Sequence, residues 1–361
     1  MTKCYLLDTL SMVTTREIAA RIGLSKSTVS LALRDDPRIP LATREKVRKG
    51  AIAMGYRPNP VLSQMMRSMR ASKPLEGRAT IGLLHGFEDP KQARTNPYHS
   101  AWVAGARARA EQLGYFVDEL WIKEPGMSAR RLTGIIRARG ISALLIAPLP
   151  EKARLDLQWE YFCAVTAGHK LEEPRLSRVV PNHFHVILLC LEELCRLGYR
   201  RIGLVMPEEL TPSVRFQMKA PVLWLQEEIG VDPVITPLDK LPASQGAFTA
   251  WLNRHRPDAV VSANLQVVDW VLASGRKIPE DIGVACTSLT TAPDGYSGVD
   301  QQPERFGAAA TDLLVAQMNC TEFGVPANPK TVLTDVAWRP GNSLRQVGRP
   351  VKLKTSLLDL I

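Results

Sequence analysis

The 361-residue sequence lacks the features that mark several common classes of protein. Its six cysteines include no Cys-X-X-Cys pair, so neither a zinc ribbon nor a thioredoxin-type site is indicated, and we expect free thiols in a reducing compartment. No run of about 18 apolar residues occurs, and residues 1–11 contain no long apolar segment, so the sequence predicts neither a membrane span nor a secretory signal. We therefore expect a cytoplasmic protein.

Motifs of nucleotide binding and covalent catalysis are missing as well. The sequence contains neither GxGxxG nor GxxxxGKS/T. The GLLHGF stretch at residues 82–87 faintly resembles an oxyanion loop, but the sequence contains no GxSxG nucleophile motif. His183 and His185 could place two imidazoles on one face of a strand, but no third ligand follows at a defined spacing. We therefore expect no enzymatic activity, no cofactor and no metal ion.

Charge is concentrated at one end of the chain. Residues 1–75 hold 14 Lys and Arg against 5 Asp and Glu, whereas the remaining 286 residues hold 32 basic and 31 acidic side chains. A basic segment joined to a nearly neutral body is typical of nucleic-acid-binding proteins, because Lys and Arg neutralise backbone phosphates. A basic surface tail is the alternative, and the helical pattern of the same segment argues against it.

The basic segment has the pattern of a helix-turn-helix. Residues 14–17, TTRE, have the form of a capping box at the start of a first helix. Gly23 permits a sharp turn after that helix, and Ser25 can cap a second helix over residues 26 to about 33. Two short helices joined by a glycine-containing turn predict a reader whose second helix lies in the major groove of DNA. A third, basic helix is predicted over residues 41–54.

Beyond residue 78, short apolar runs alternate with helical stretches. This alternation predicts parallel sheets covered by helices on both faces. The expected strands are residues 81–84, 144–147, 164–166, 202–205, 259–262 and 282–286, and the expected helices are residues 98–113, 129–139, 186–197, 243–253 and 267–273.

The stretch from residue 15 to residue 59 resembles the DNA-binding headpiece of the LacI/GalR family of transcription regulators. It reads TREIAARIGLSKSTVSLALRDDPRIPLATREKVRKGAIAMGYRPN, and GLSKSTVS and GYRPN are its specific marks. The body carries GYRRIGLV at 198–205, IPEDIGV at 278–284 and GVDQQPERFGAAATDLL at 298–314, in the order and spacing of the family. The resemblance covers about residues 13–343. It implies a two-lobed, periplasmic-binding-protein-like α/β sensor domain with parallel sheets behind an all-α headpiece and a hinge helix.

The resemblance implies three groups of DNA contacts. Leu31 stands where many members carry Arg or His, which favours an apolar contact to a thymine methyl group over a guanine contact. Residues 60–69 correspond to the family's hinge helix, which enters the minor groove as a pair, and Met65 takes the place of a leucine wedge. A plain amphipathic linker helix is the alternative. The implied base-reading residues are Lys26, Ser27 and Leu31, the phosphate contacts are Thr15, Ser25, Thr28, Ser30 and Arg34, and the hinge contacts are Asn59, Val61, Leu62 and Met65.

The resemblance also implies an effector cleft between the lobes, at the carboxyl ends of their strands. Leu265 and Thr287 stand where acidic residues clamp sugar hydroxyls in other members, which argues against a simple sugar. The small-molecule effector is therefore left unidentified. The implied effector-binding residues are Tyr98, His169, Asn182, His183, Asn264, Ser288 and Gln302.

These observations divide the chain into segments with separate roles. The segments are an N-terminal extension at 1–11, the helix-turn-helix domain at 12–59, the hinge helix and linker at 60–78, the effector-binding and dimerisation domain at 79–338 and a floppy basic tail at 339–361. We expect a homodimeric, ligand-responsive repressor, associated with the nucleoid, that reads a near-palindromic double-stranded DNA operator. A DNA-binding architectural protein with an inert dimerisation body is the alternative. We do not favour a third possibility, an enzyme with a DNA-binding appendage, because the sequence contains no catalytic constellation.

Overall fold

The computed structural model describes residue 13 and residues 15–33, 39–54, 79–206, 210–229, 234–238, 244–262 and 264–351. Across these residues, no helix is long and apolar enough to cross a membrane. The predictions that lie outside them concern the extension at 1–11, Arg34, the hinge residues Asn59, Val61, Leu62 and Met65, and the tail from residue 352.

The basic N-terminal segment forms short helices around a small core. The helices are α1 (Thr15–Ile22), α2 (Lys26–Ala32) and α3 (Leu41–Ala53). Gly23 follows α1 with a φ of 74°, which glycine adopts readily, and the chain turns there towards α2. The buried residues of the core are Ile18, Ala19, Val29, Ala32, Val47 and Ala51. The predicted helix-turn-helix and the third helix are confirmed.

The first lobe of the body is a parallel sheet covered by helices on both faces. Its strands are β1 (Ala79–His85), β2 (Tyr115–Trp121), β3 (Ala143–Ile146), β5 (Cys163–Ala167), β7 (Ser177–Pro181) and β13 (Thr331–Thr334), in the order β13-β7-β5-β3-β1-β2. A separate pair consists of β4 (Ala153–Arg154) and β6 (Leu171–Glu173), and the helices are α4 (Pro90–Thr95), α5 (Pro97–Gln112) and α6 (Ala129–Ala138). Strands such as the ALLI of β3 are buried throughout, as a sheet covered on both faces requires.

The second lobe repeats this arrangement. Its helices are α7 (His183–Arg196), α8 (Pro212–Ile229), α9 (Gln245–His255) and α10 (Leu265–Ala273). Its strands are β8 (Arg201–Val205), β9 (Val234–Leu238), β10 (Ala259–Ser262), β11 (Gly283–Cys286), β12 (Ser297–Asp300) and β14 (Ala337–Arg339), in the order β14-β12-β11-β10-β8-β9. The pairs are parallel except β12 with β14, which is antiparallel. The predicted two-lobed α/β fold is confirmed.

The chain passes between the lobes at several connections. It leaves lobe 1 after β7 and enters α7, and it returns after β12 as α11 (Pro303–Asn319), which packs in the core of lobe 1. It then leaves lobe 1 again after β13 and adds β14 to lobe 2. These short connections hold the two lobes side by side and leave a cleft between them.

The structure differs from the sequence analysis at two places in the body. His183 and His185 lie in the first turn of α7 and not on a strand, because Asn182 accepts a backbone hydrogen bond that begins a helix there. The tail does not leave the body at residue 339, since Ser343 Oγ donates to Val284 O at 2.6 Å and Val351 N donates to Cys195 O at 2.9 Å. Residues up to 351 therefore pack on lobe 2.

Candidate functional site

The outward side of α2 carries the predicted base-reading residues. Lys26 and Ser27 are exposed and Leu31 is half-buried, while Val29 and Ala32 are buried against the other helices. An α-helix fits the major groove of DNA, and its outward side chains reach the base edges. The headpiece therefore presents a helix of the right kind, with its base-reading candidates directed away from the core.

Ser25 holds the start of this helix. Its Oγ accepts a hydrogen bond from Thr28 N at 3.0 Å and lies 2.7 Å from Ser27 Oγ and 2.8 Å from Thr28 Oγ1. The side chain thus satisfies an N–H group that a helix start leaves without an intrahelical partner. A helix start also favours anions, so this position is suited to a backbone phosphate.

A cavity of about 350 Å³ lies between the lobes. Tyr98 reaches it from the start of α5, His169 from the chain after β5, and His183 from the first turn of α7, while Thr211 and Val214 close it from lobe 2. The volume lies within the range of small-molecule sites. The structure therefore brings together Tyr98, His169 and His183 of the predicted effector residues.

Three titratable side chains of this cavity, Tyr98, His169 and His183, favour their neutral forms. Burial, and then the charge of Arg178, lowers the pKa of His169 to about 4, and burial lowers that of His183 to about 4, with His169 as the smaller cause. Burial also raises the pKa of the Tyr98 hydroxyl above its ordinary value. The rings of the two histidines lie 6.2 Å apart. At neutral pH these three side chains therefore offer uncharged donors and acceptors. No group of three potential metal ligands occurs in the described part of the chain.

Sequence reasoning missed several residues of the cavity wall. Gln301 lines it, and its Nε2 donates to Thr287 O at 2.8 Å. Lys170, Thr211 and Phe306 line it as well. Gln301 adjoins Gln302 in the GVDQQ stretch at residues 298–302, so the resemblance that indicated Gln302 could equally have indicated Gln301.

The other predicted effector residues lie outside this cavity wall. Asn182 caps α7 with a hydrogen bond of 3.1 Å, and Gln302 stands before α11 with a φ of 50°. Asn264 caps α10 with a hydrogen bond of 2.8 Å, and with Ser288 it borders a separate cavity of about 10 Å³, which is too small for an organic ligand. The side chains of Asn182 and Asn264 are therefore engaged as helix N-caps.

Two known family patterns match the chain. The one described as "Bacterial regulatory proteins, lacI family" matches residues 14–59, and the one described as "Periplasmic binding protein-like domain" matches residues 191–344. The transcriptional repressor CytR of Escherichia coli strain K12 is 25% identical over 325 residues, which cover 86% of this chain and 91% of the relative. The chain therefore carries a LacI-family DNA-binding domain followed by a periplasmic-binding-protein-like domain.

Solved structures agree with this LacI-family assignment at the level of the fold. The complex of the regulator CelR with cellobiose superposes with a TM-score of 0.52 at 20% identity, covering 92% of this chain and 99% of that one. The Lac repressor bound to ONPG in its repressed state gives a TM-score of 0.54 at 19% identity, covering 92% and 100%. The lacI-family pattern in the headpiece and the similarity to transcription regulators such as CytR identify the chain as a transcription regulator, and not an enzyme.

Proposed function

We propose that this LacI-family protein is a ligand-responsive repressor that acts as a homodimer on a near-palindromic operator. The observation that carries the proposal is the cavity between the lobes, to which Tyr98 and His169 contribute from one lobe and Thr211 from the other. A ligand that touches both lobes stabilises one lobe arrangement over another, provided that it binds the two arrangements with different affinities.

The headpiece supplies the reading element of this proposal. In each subunit, Lys26, Ser27 and Leu31 read the base edges of one operator half in the major groove. Neighbouring polar side chains hold phosphates and so set the register of the protein on the duplex. The proposed phosphate contacts among the described residues are Thr15, Ser25, Thr28 and Ser30.

The ligand and the DNA influence each other through the connection between headpiece and body. Movement of the lobes changes the pairing of the two hinge segments, residues 60–69 of each subunit. Such coupling is reciprocal, so the ligand changes the affinity for DNA by the same factor as DNA changes the affinity for the ligand. A relative of the same fold, CelR, has been solved with a bound small molecule, cellobiose, which supports a sensor role for the body.

The test uses a duplex that the protein itself selects from a random pool. Small molecules are screened for those that raise the midpoint of thermal unfolding, and the affinity for the selected duplex is measured with and without each of them. We expect at least one stabilising ligand to change the affinity for DNA. An architectural protein with an inert body predicts either no stabilising ligand or ligands that leave DNA binding unchanged.

A further inference from the structure

A second, wider cleft opens beside the effector cavity. Its volume is about 600 Å³, and it shares His169 and Thr211 with the effector cavity. Lobe 1 contributes residues of β6, of β7 and of the chain between them, and lobe 2 contributes the start of α8. The two cavities are therefore neighbouring parts of one space between the lobes.

The basic side chains of this cleft are only partly neutralised. Lys152 forms an ion pair with Glu172, at 3.0 Å, and Arg154 forms one with Glu173, at 3.6 Å. Arg175 and Arg178 also line the cleft, and neither pairs with a carboxylate anywhere in the part of the chain that the structure describes. Two guanidinium groups are thus left to attract a negative charge.

Arg178 is the more enclosed of these two arginines. It is half-buried on β7, and burial, followed by the charge of the neighbouring Arg175, lowers the pKa of its guanidinium. A positive charge that is partly withdrawn from water, beside a second positive charge, costs free energy. An anion placed between the two guanidiniums would offset both costs.

His169 marks the boundary between the cleft and the effector cavity. Its Nε2 is buried and has no hydrogen-bond partner among the described residues. A buried polar atom without a partner is uncommon in folded proteins. The position of this nitrogen points to a polar group of a ligand that extends from one cavity into the other.

The start of α8 faces the arginines from lobe 2. This helix has 18 residues and begins at Pro212, and Thr211 Oγ1 accepts a hydrogen bond from Val214 N at 3.4 Å. The N-terminus of a helix carries a partial positive charge and favours anions. The two arginines on one wall and the helix start on the other therefore favour negative charge, while the acidic residue of the cleft lining, Glu172, is paired with Lys152. The adjoining effector cavity has no Asp or Glu among its described lining residues.

We propose that the effector carries an oxyanion group, a phosphate or a carboxylate, which Arg175 and Arg178 bind from lobe 1 and the first turn of α8 binds from lobe 2. The remainder of the ligand occupies the cavity lined by Tyr98, His169 and His183. Guanidinium groups suit this role because they hold planar or tetrahedral oxyanions by paired, charge-assisted hydrogen bonds. The proposal rests on the proposed sensor function and adds the chemical class of its ligand.

The first experiment measures anion binding to the full-length protein in the absence of DNA. Inorganic phosphate, succinate and glucose are titrated separately at constant ionic strength, and the thermal unfolding midpoint is followed. We expect a saturable rise with phosphate or succinate and none with glucose, and the stronger of the two anions identifies the group. A response to glucose alone, or no saturable response to either anion, would overturn the proposal.

Variants locate the site. Arg178→Gln is expected to weaken binding of the active anion about tenfold, as loss of a charge-assisted hydrogen bond to an ion should. The matched control Arg130→Gln removes the same charge from an exposed position on α6, in the same lobe and outside the cleft lining, and is expected to bind normally. Equal weakening in both variants would reduce the effect to net charge and contradict the assigned site.

The role of the anion in regulation is read separately, from DNA binding. If the anion binds in the cleft and changes the affinity for a selected duplex, the proposal is supported. Anion binding that leaves DNA affinity unchanged would overturn the effector assignment. Absence of sequence-specific DNA binding both with and without the anion would instead contradict the proposed operator function. The anion measurements contain no DNA, so they would stand unchanged.

Discussion

At the scale of single residues, Ser25 controls the start of α2. The helix has seven residues, so its first turn is a large part of its length. Short helices have little stability of their own and depend on caps and packing. The hydrogen bond from Thr28 N to Ser25 Oγ is therefore a sensitive point of the headpiece.

Ser25→Ala is expected to destabilise α2 by about 1 kcal/mol, because the capping hydrogen bond is lost. Amide hydrogen exchange of the segment that contains Lys26–Ala32 should speed up about fivefold, in protein without DNA. Ser25→Asp restores a capping oxygen and should recover the protection, while its negative charge weakens DNA binding. Unchanged exchange in Ser25→Ala would show that the cap contributes nothing.

His85 is a second residue with a measurable consequence. It is buried in lobe 1, where its Nδ1 lies 3.0 Å from His99 Nε2 and its ring stacks on Trp121 at 4.3 Å. Burial is the main cause that lowers the pKa of His85 from 6.5 to about 3, followed by the charges of His99 and Arg107. Between these pH values the unfolded chain binds a proton that the folded lobe does not.

The stabilising effect of this neutral imidazole is complete above pH 6.5 and declines as the pH falls towards 3. Each pH unit in this window should lower the free energy of unfolding by about 1.4 kcal/mol per such histidine. His85→Gln should therefore lose less stability than wild type when urea unfolding is compared at about pH 7 and pH 5. The control His255→Gln lies on α9 in the other lobe. If the free energy of unfolding depends on pH identically in wild type and His85→Gln, the lowered pKa of His85 is contradicted.

At the scale of elements, the contact between α5 and α11 holds lobe 1 together. A Cβ at Gly105 would overlap the backbone carbonyl of Glu304, and one at Gly307 would overlap that of Trp102. Thr311 Oγ1 also donates to Ala106 O at 3.1 Å, across the same contact. The two helices thus approach closely because glycine stands at their contact.

Gly105→Ala is expected to lower the stability of the protein by about 1–3 kcal/mol, because the added methyl group forces the helices apart. The matched control is Gly134→Ala on α6, where nothing lies within 4 Å of the added Cβ. That change should stabilise the protein by about 0.5–1 kcal/mol through helix propensity. The midpoints of denaturant unfolding measure both changes in stability. Equal midpoints for the two variants would contradict the close packing of α5 and α11.

Local sequence patterns predicted elements better than they predicted roles. Apolar runs located β1, β3, β5, β8, β10 and β11, because buried strands and the helices between them have distinct periods. They did not indicate the four-residue β12 or the three-residue β14, whose pairing depends on distant parts of the chain. Asn182 and Asn264 looked like ligand contacts, yet Asn is also a preferred helix cap, and both begin helices.

At the scale of the whole molecule, the cavity is assembled from distant parts of the sequence. Tyr98, His169, Thr211 and Gln301 meet only because the chain passes between the lobes more than once. Hydrophobic periodicity carries no information about contacts between distant segments of the chain, so the cavity wall was predicted only in part. The residues proposed to read DNA depend less on distant contacts, since they lie within one short helix.

Selection of bound sequences from a random duplex pool, at two salt concentrations, tests whether the headpieces of a dimer read a specific DNA sequence. We expect a near-palindromic motif with a flexible central step. We also expect an affinity that falls steeply as salt rises, because Lys and Arg release counter-ions from the phosphates. Lys26→Ala should relax the preference at one position in each half of the motif. Recovery of no enriched motif at either salt concentration would contradict sequence-specific reading and leave only a basic module that binds DNA without specificity.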